Sequence, residues 1–260
     1  MAEATAFDVL GDGPPVMLVH GLGLNRHMWQ WQVDALTPHF RVVRYDLLGH
    51  GDSAKPPGPY LMTQMVQQLD DLMAAAGIER AALVGFSLGG LIVQAYTLAH
   101  PEKVAALAIL NSAHARTNEQ RASIMQRVRQ AENAGPAATI DDALRRWFTE
   151  GFAKRRPEVL DQVRAWVAGN DASVYPALYL LLAEADIGLE TSIAGIQCPV
   201  LVMTGGDDAG NSPQMAQQMA AIMPNARLEI LPGLRHLALA ENPAAVNDLL
   251  VPFLRDSLQV

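Results

Sequence analysis

The stretch that most constrains this 260-residue chain is Ala81-Ala-Leu-Val-Gly-Phe-Ser-Leu-Gly-Gly90. A β-rich apolar run ends, a Gly-x-Ser-x-Gly pentapeptide follows, and a segment with helical spacing (88–99) begins at once. A chain passes from buried strand to helix in so few residues only through a sharp turn. The glycines flanking Ser87 remove the Cβ atoms that would clash in it. Such a turn leaves the Ser87 hydroxyl at the end of a strand. The helix starting beside it aims free N–H groups and its positive dipole end at the same spot. That arrangement suits a hydroxyl that attacks an acyl carbon.

The rest of the chain supplies a setting for this turn. Residues 16–20, 41–45, 81–85 and 104–110 read as strands, and 63–76 and 88–99 have helical spacing. Residues 5–10, ahead of the turn Gly11-Asp-Gly-Pro-Pro15, could form one edge strand. Alternating strands and helices imply a mostly parallel sheet covered on both faces, an α/β fold. After Ser112 the texture changes. Residues 115–190 hold almost no strand-like run, and they include the cluster Arg145-Arg146-Trp147-Phe148. Strand signals return at 200–204 and 227–231, and 244–257 reads as a closing amphipathic helix. The expectation is a core made of 1–114 and 191–260, interrupted by a helical cap at 115–190.

Composition narrows the partners. Half of the residues are apolar, enough for a large core, and the formal net charge is −8. An acidic chain is a poor fit to nucleic acid or to an anionic membrane. The single cysteine, Cys198, excludes an intramolecular disulfide and reads as a buried structural thiol. No signal peptide and no membrane-spanning apolar run is visible, so a cytoplasmic location is expected. The expected partner is a small molecule.

A nucleophilic serine needs a base, and the base needs an orienting acid. His236 follows a strand and the turn Leu231-Pro-Gly-Leu-Arg235, which places it on a loop at a strand end. Thr204-Gly-Gly-Asp-Asp208 follows another strand, so Asp207 and Asp208 are both candidates for the acid. The position after the preceding strand is Asn111, which cannot ionise. An oxyanion needs two converging N–H donors. The backbone of Leu22, in the loop after Val16-Met-Leu-Val-His20-Gly21, and that of Leu88 could supply them. His20 reads as an imidazole that braces this loop. Asp46-Leu-Leu-Gly-His-Gly-Asp-Ser53 offers an acid and a histidine but reads as a turn held by side-chain-to-backbone bonds. This chemistry calls for no metal and no organic cofactor.

Together, His20-Gly21, Asp46 with Gly49-His50-Gly51-Asp52-Ser53, Gly85-Phe86-Ser87-Leu88-Gly89, Gly205-Gly206-Asp207-Asp208 and His236 resemble the α/β-hydrolase family across nearly the whole chain. The resemblance implies that fold, with Ser87, Asp208 and His236 as nucleophile, acid and base. The family acid usually ends a Gly-x-x-Asp turn, which favours Asp208. The family base usually follows glycine, whereas here Arg235 precedes His236. A narrower resemblance to 3-oxoadipate enol-lactonases rests on Arg146-Trp147-Phe148-Thr149, Phe152 and Tyr179 through Asp186. It implies a small ester or lactone bearing a carboxylate. Trp147 and Phe148 would then be apolar walls, and Arg145 or Arg146 would meet the carboxylate. Related carboxylesterases, perhydrolases and carbon–carbon bond hydrolases share the core. The last usually carry a longer Gly-Pro-Gly loop where this chain has Leu22-Gly23-Leu24-Asn25. A non-catalytic small-molecule receptor on the same core is the alternative from a different class.

Overall fold

A computed structural model describes residues 5–260. Among the described residues seven strands form one sheet: β1 (Phe7–Leu10), β2 (Pro15–Val19), β3 (Arg41–Tyr45), β4 (Ala81–Phe86), β5 (Val104–Leu110), β6 (Val200–Gly205) and β7 (Ala226–Leu231). Their spatial order is β1-β3-β2-β4-β5-β6-β7. β1 runs antiparallel beside β3, and the remaining neighbours are parallel. Residues of β2, β4 and β6 are buried almost without interruption. Covered on both faces, these strands read as unbroken apolar runs rather than as alternating ones.

The core helices are α1 (Gln30–Leu36), α2 (Met62–Ala75) and α3 (Leu88–Ala99) before the insertion, and α10 (Pro213–Ile222), α11 (Ala238–Glu241) and α12 (Pro243–Leu258) after it. α3 packs against β4 and β5, α2 packs on α3, and α12 packs against α1 and β5. The methionines of α2 serve this packing, with Met65 and Met73 fully buried. Between β5 and β6 lies the helical insertion: α4 (Asn118–Ala134), α5 (Ile140–Trp147), α6 (Glu150–Arg155), α7 (Pro157–Ala168), α8 (Tyr175–Glu184) and α9 (Leu189–Ser192). Its two stems are tied together. Asp186, between α8 and α9, accepts the Arg116 N–H at 2.8 Å and the Arg116 guanidinium at 3.0 Å, and Arg121 adds a bond at 2.8 Å. A capping box starts α4: Gln120 N–H reaches Thr117 Oγ1 at 3.3 Å, and the Gln120 side chain accepts Thr117 N–H at 2.8 Å.

After β2 the chain crosses to β3 on one side, and β4 lies on the other. The crevice for a ligand is therefore expected outside the carboxyl ends of β2 and β4, where strand order reverses. Gly21 through Leu24 leaves β2 there, and Ser87 leaves β4. The first turn of α3 approaches the end of β2 so closely that a Cβ on Gly89 would lie 2.1 Å from Val19 O. Gly85 is equally confined, with its Cβ position 2.4 Å from Gly89 O. Both obstacles are backbone atoms, which cannot rotate away. Gly89→Ala should therefore cost about 3 kcal/mol or more of stability, as overpacking of a rigid site does. Gly195→Ala meets only a leucine methyl at 3.5 Å and should stay within about 0.5 kcal/mol of the parent. Urea unfolding of the two variants checks the contrast.

Candidate active site

Ser87 sits between β4 and α3 at φ 54° and ψ −112°. Positive φ is strained for a residue with a Cβ and persists only where packing over-determines it. The neighbours show what does so. Ser87 N–H donates to Leu110 O at 2.9 Å, and Ser112 Oγ donates to Ser87 O at 2.8 Å. The hydroxyl lies 3.2 Å from His236 Nε2, and His236 Nδ1 lies 2.7 Å from Asp208 Oδ2. The three side chains come from the ends of β4 and β6 and from the loop after β7. They form one hydrogen-bonded line, Ser87–His236–Asp208.

Asp208 is buried and Asp207 is exposed, which separates the two candidate acids by position. Burial pushes the Asp208 carboxyl up. The His236 ring, the Asn211 N–H at 3.0 Å and the Asn111 amide at 3.0 Å outweigh it and hold the group below the usual carboxylate range. Asn111 is the residue whose importance the sequence hid. It cannot be an acid, but its amide donates to Asp208 and, at 3.4 Å, to Arg235 O, while its own carbonyl accepts from Asn211 at 2.6 Å. No local sequence signal marks this contact, since Asn111 and Asp208 are 97 residues apart.

Leu22 lines the cavity beside Ser87, and among the described residues no hydrogen bond takes up its N–H. Leu88 is the first residue of α3, so its N–H has no acceptor one turn back. Leu22 thus follows the end of β2, and Leu88 follows the end of β4 by two residues.

The cavity over Ser87 has a volume of about 230 Å³. Its walls include Leu24, Phe86, Ile124, Trp147, Tyr179 and Leu182. Trp147 lies against His236, with ring centroids 6.0 Å apart. Phe148 lies elsewhere: it is buried and stacked on Phe152 at 5.2 Å. The expectation that it would be a cavity wall is corrected by the end of α5 at Trp147, after which the backbone turns extended and swings the ring inward. Arg145 is corrected too. It pairs with Asp142 on the exposed side of α5 and lines a separate groove. Consecutive helical residues differ by 100° in direction, so only one of Arg145 and Arg146 can face the site. Arg146 is the one at the cavity.

Two further guanidiniums reach the cavity from cap segments that the sequence did not single out, Arg116 and Arg127. Arg116 is neutralised by Asp186. Among the described residues neither Arg127 nor Arg146 forms an ion pair. Burial, then repulsion from Arg146 and Arg116, pushes the Arg127 guanidinium below its ordinary range. An acidic protein thus concentrates uncompensated positive charge in one cavity. Cys198 is half-buried and outside it, and burial pushes its thiol up to about 11.

The Asp46 turn is a structural brace. The buried Asp46 carboxylate accepts Arg26 N–H at 2.7 Å and Asp52 N–H at 2.9 Å, and it pairs with the Arg26 guanidinium. Two buried imidazoles tie this turn to the loop after β2. His20 Nε2 accepts Leu47 N–H at 2.9 Å, with Nδ1 2.8 Å from Gly21 O. His50 Nε2 accepts Gly23 N–H at 3.1 Å, with Nδ1 3.2 Å from Leu48 O. Each ring uses one nitrogen as acceptor and one as donor, which only the neutral form can do.

The chain matches the family model for the alpha/beta hydrolase fold over residues 14–243 and belongs to that family. It is 30% identical over 236 residues to 3-oxoadipate enol-lactonase 2 of Acinetobacter baylyi, covering 91% of this chain and 86% of that protein. It is 27% identical to (E)-2-((N-methylformamido)methylene)succinate hydrolase of the same organism, covering 94% of this chain and 91% of the relative. In three dimensions it resembles the enol-lactonase of Burkholderia xenovorans LB400 with a TM-score of 0.90 and 32% identity, covering 96% of each chain. Among the described residues no helix is long and apolar enough to cross a membrane.

Burial, with a contribution from His20, pushes the His50 imidazole down to about 3. The unfolded chain protonates it near the ordinary value of about 6.5. Between those values the unfolded state binds the extra proton, so the contribution of neutral His50 to stability is complete above pH 6.5 and is lost as pH falls toward 3. The slope is about 1.4 kcal/mol per pH unit. Urea unfolding at pH 4.5, 5.5 and 7 should show a shallower loss for His50→Gln than for the parent, by about that slope. Equal slopes would mean that His50 is not held neutral.

Proposed function

We propose that the protein is a serine hydrolase that cleaves a carboxylic ester or lactone through an acyl-enzyme, its substrate carrying a carboxylate as 3-oxoadipate enol-lactone does. The observation that carries the reading is the unbroken line from Ser87 Oγ through His236 to Asp208, with gaps of 3.2 and 2.7 Å. In this reading His236 Nε2 accepts the Ser87 proton as Oγ bonds to the acyl carbon. Asp208 holds Nδ1–H and stabilises the imidazolium. The Leu22 and Leu88 N–H groups receive the oxyanion. Collapse breaks the bond to the leaving oxygen, which takes the proton from His236. Water then attacks the acyl-enzyme, with His236 as base once more, and releases the acid and free Ser87.

Arg146 and Arg127 support the carboxylate in this proposal. They present charged donors without a protein anion to meet them. Two named relatives are consistent with that: an enol-lactonase and a hydrolase of a substituted succinate. Trp147 would hold the apolar part of the substrate against the base.

One assay panel tests the whole reading. Purified protein should turn over p-nitrophenyl acetate and open a carboxylate-bearing enol-lactone, with a lower KM for the charged substrate. Ser87→Ala should abolish both activities while leaving the melting temperature unchanged. Arg127→Gln should raise KM for the charged lactone by about 10- to 100-fold, the worth of a hydrogen bond to a charged group. The KM for p-nitrophenyl acetate should not move. Equal effects on both substrates would remove Arg127 from carboxylate recognition. Undiminished turnover by Ser87→Ala would reject the mechanism, and binding without turnover by the parent would favour a receptor.

A further inference from the structure

His236 lies between two residues that are each tied to the cap. On one side, Leu237 donates its N–H to Trp147 O at 3.0 Å. On the other, Arg235 Nη1 donates to Arg145 O at 2.6 Å and to Phe148 O at 2.9 Å. These carbonyls belong to the last turn of α5 and the residue after it, where no further helical turn exists to pair them. A guanidinium there also meets the negative end of the helix dipole. The next step of the chain is held from the same loop. Glu241 accepts the Thr149 N–H at 3.2 Å and the Thr149 hydroxyl, and Thr149 caps α6. Glu241 also lies 3.4 Å from Arg235 N. Meanwhile Arg235 O accepts, at 3.4 Å, from the Asn111 amide that braces Asp208. The side chain of Arg235 thus grips the cap while its backbone touches the support of the acid.

We propose that Arg235 is a positioning residue: it clamps the α5–α6 joint of the cap onto the loop of the base, so that the Trp147 wall and His236 are set as one unit. This role explains why a long cation precedes the base here. Glycine would supply no donor for the Arg145 and Phe148 carbonyls, and only the Leu237 bond and Glu241 would remain. Trp147 hangs from the clamped joint, so loosening it displaces the wall and the imidazole together. The catalytic part of the inference rests on the serine-hydrolase reading. The clamp itself does not.

The experiment compares the parent with Arg235→Gly and Arg235→Lys by two readouts. Amide hydrogen exchange, read by mass spectrometry, should accelerate at least tenfold in the Arg235→Gly peptides covering 144–152 and 237–241. Peptides from β2 and β4 should not change. Turnover of p-nitrophenyl acetate should fall about 10- to 100-fold in kcat with little change in KM, as expected when a reacting group is misplaced without loss of binding. Arg235→Lys, which keeps the charge and one donor group, should recover part of both. If Arg235→Gly fails to fold, Arg235→Met carries the same readouts. Unchanged exchange at 144–152 overturns the clamp. Faster exchange with an unchanged kcat overturns the positioning role. A parent without esterase turnover defeats the proposed function instead, and the exchange result still decides the clamp.

Discussion

The structure depends on one close contact: the first turn of α3 pressed against the carboxyl end of β2. Gly89 sits where a Cβ would lie 2.1 Å from Val19 O. That approach brings the end of β4, the start of α3 and the loop after β2 into one small volume. Ser87 stands there at φ 54°, with Leu22 in the loop after β2 and Leu88 at the start of α3. Strain at Ser87 is sustained by a parallel sheet whose central strands are buried along their length. Stability in the core and geometry at the site are therefore the same property at this point.

Around Ser87 the loops are held by groups that are polar, buried and paired. His20 and His50 work as neutral imidazoles between the β2 loop and the Asp46 turn. Asn111 and Asn211 work as amides around Asp208. A buried polar network of this kind is stabilising only when each member is satisfied, and it then admits a single arrangement of the loops it joins. The cap adds a second layer. Asn170, just past α7, donates to Gly23 O at 2.8 Å, and Arg235 and Glu241 tie α5 and α6 to the His236 loop. Each of the loops that carry Leu22 and His236 thus has a partner in the cap.

The core was legible in the sequence because parallel strands buried on both faces leave plain apolar runs, and the turns after them carry the chemistry. β3 and β5 match the sequence-read spans, and the other strands differ by a residue or two at an end. That Ser87, Asp208 and His236 come together was legible because each follows a strand, and strand ends converge on one edge of such a sheet. The cap was less legible. Charges adjoin the buried positions of α4 and α5, so a run such as Arg145-Arg146 does not reveal which residue faces inward until the helix phase is known. Arg127 lay in a helix full of arginine and glutamine and carried no local mark. Asn111 cannot ionise, so a pattern of acids does not mark it. Its amide matters through a partner 97 residues away, a contact no local pattern records.

The most direct measurement is intact-mass spectrometry after treatment with a fluorophosphonate. The account predicts one adduct per chain, mapped to Ser87, formed rapidly with the parent and absent from Ser87→Ala. An adduct on another residue, or none from a folded parent that binds an anionic ester, would contradict it.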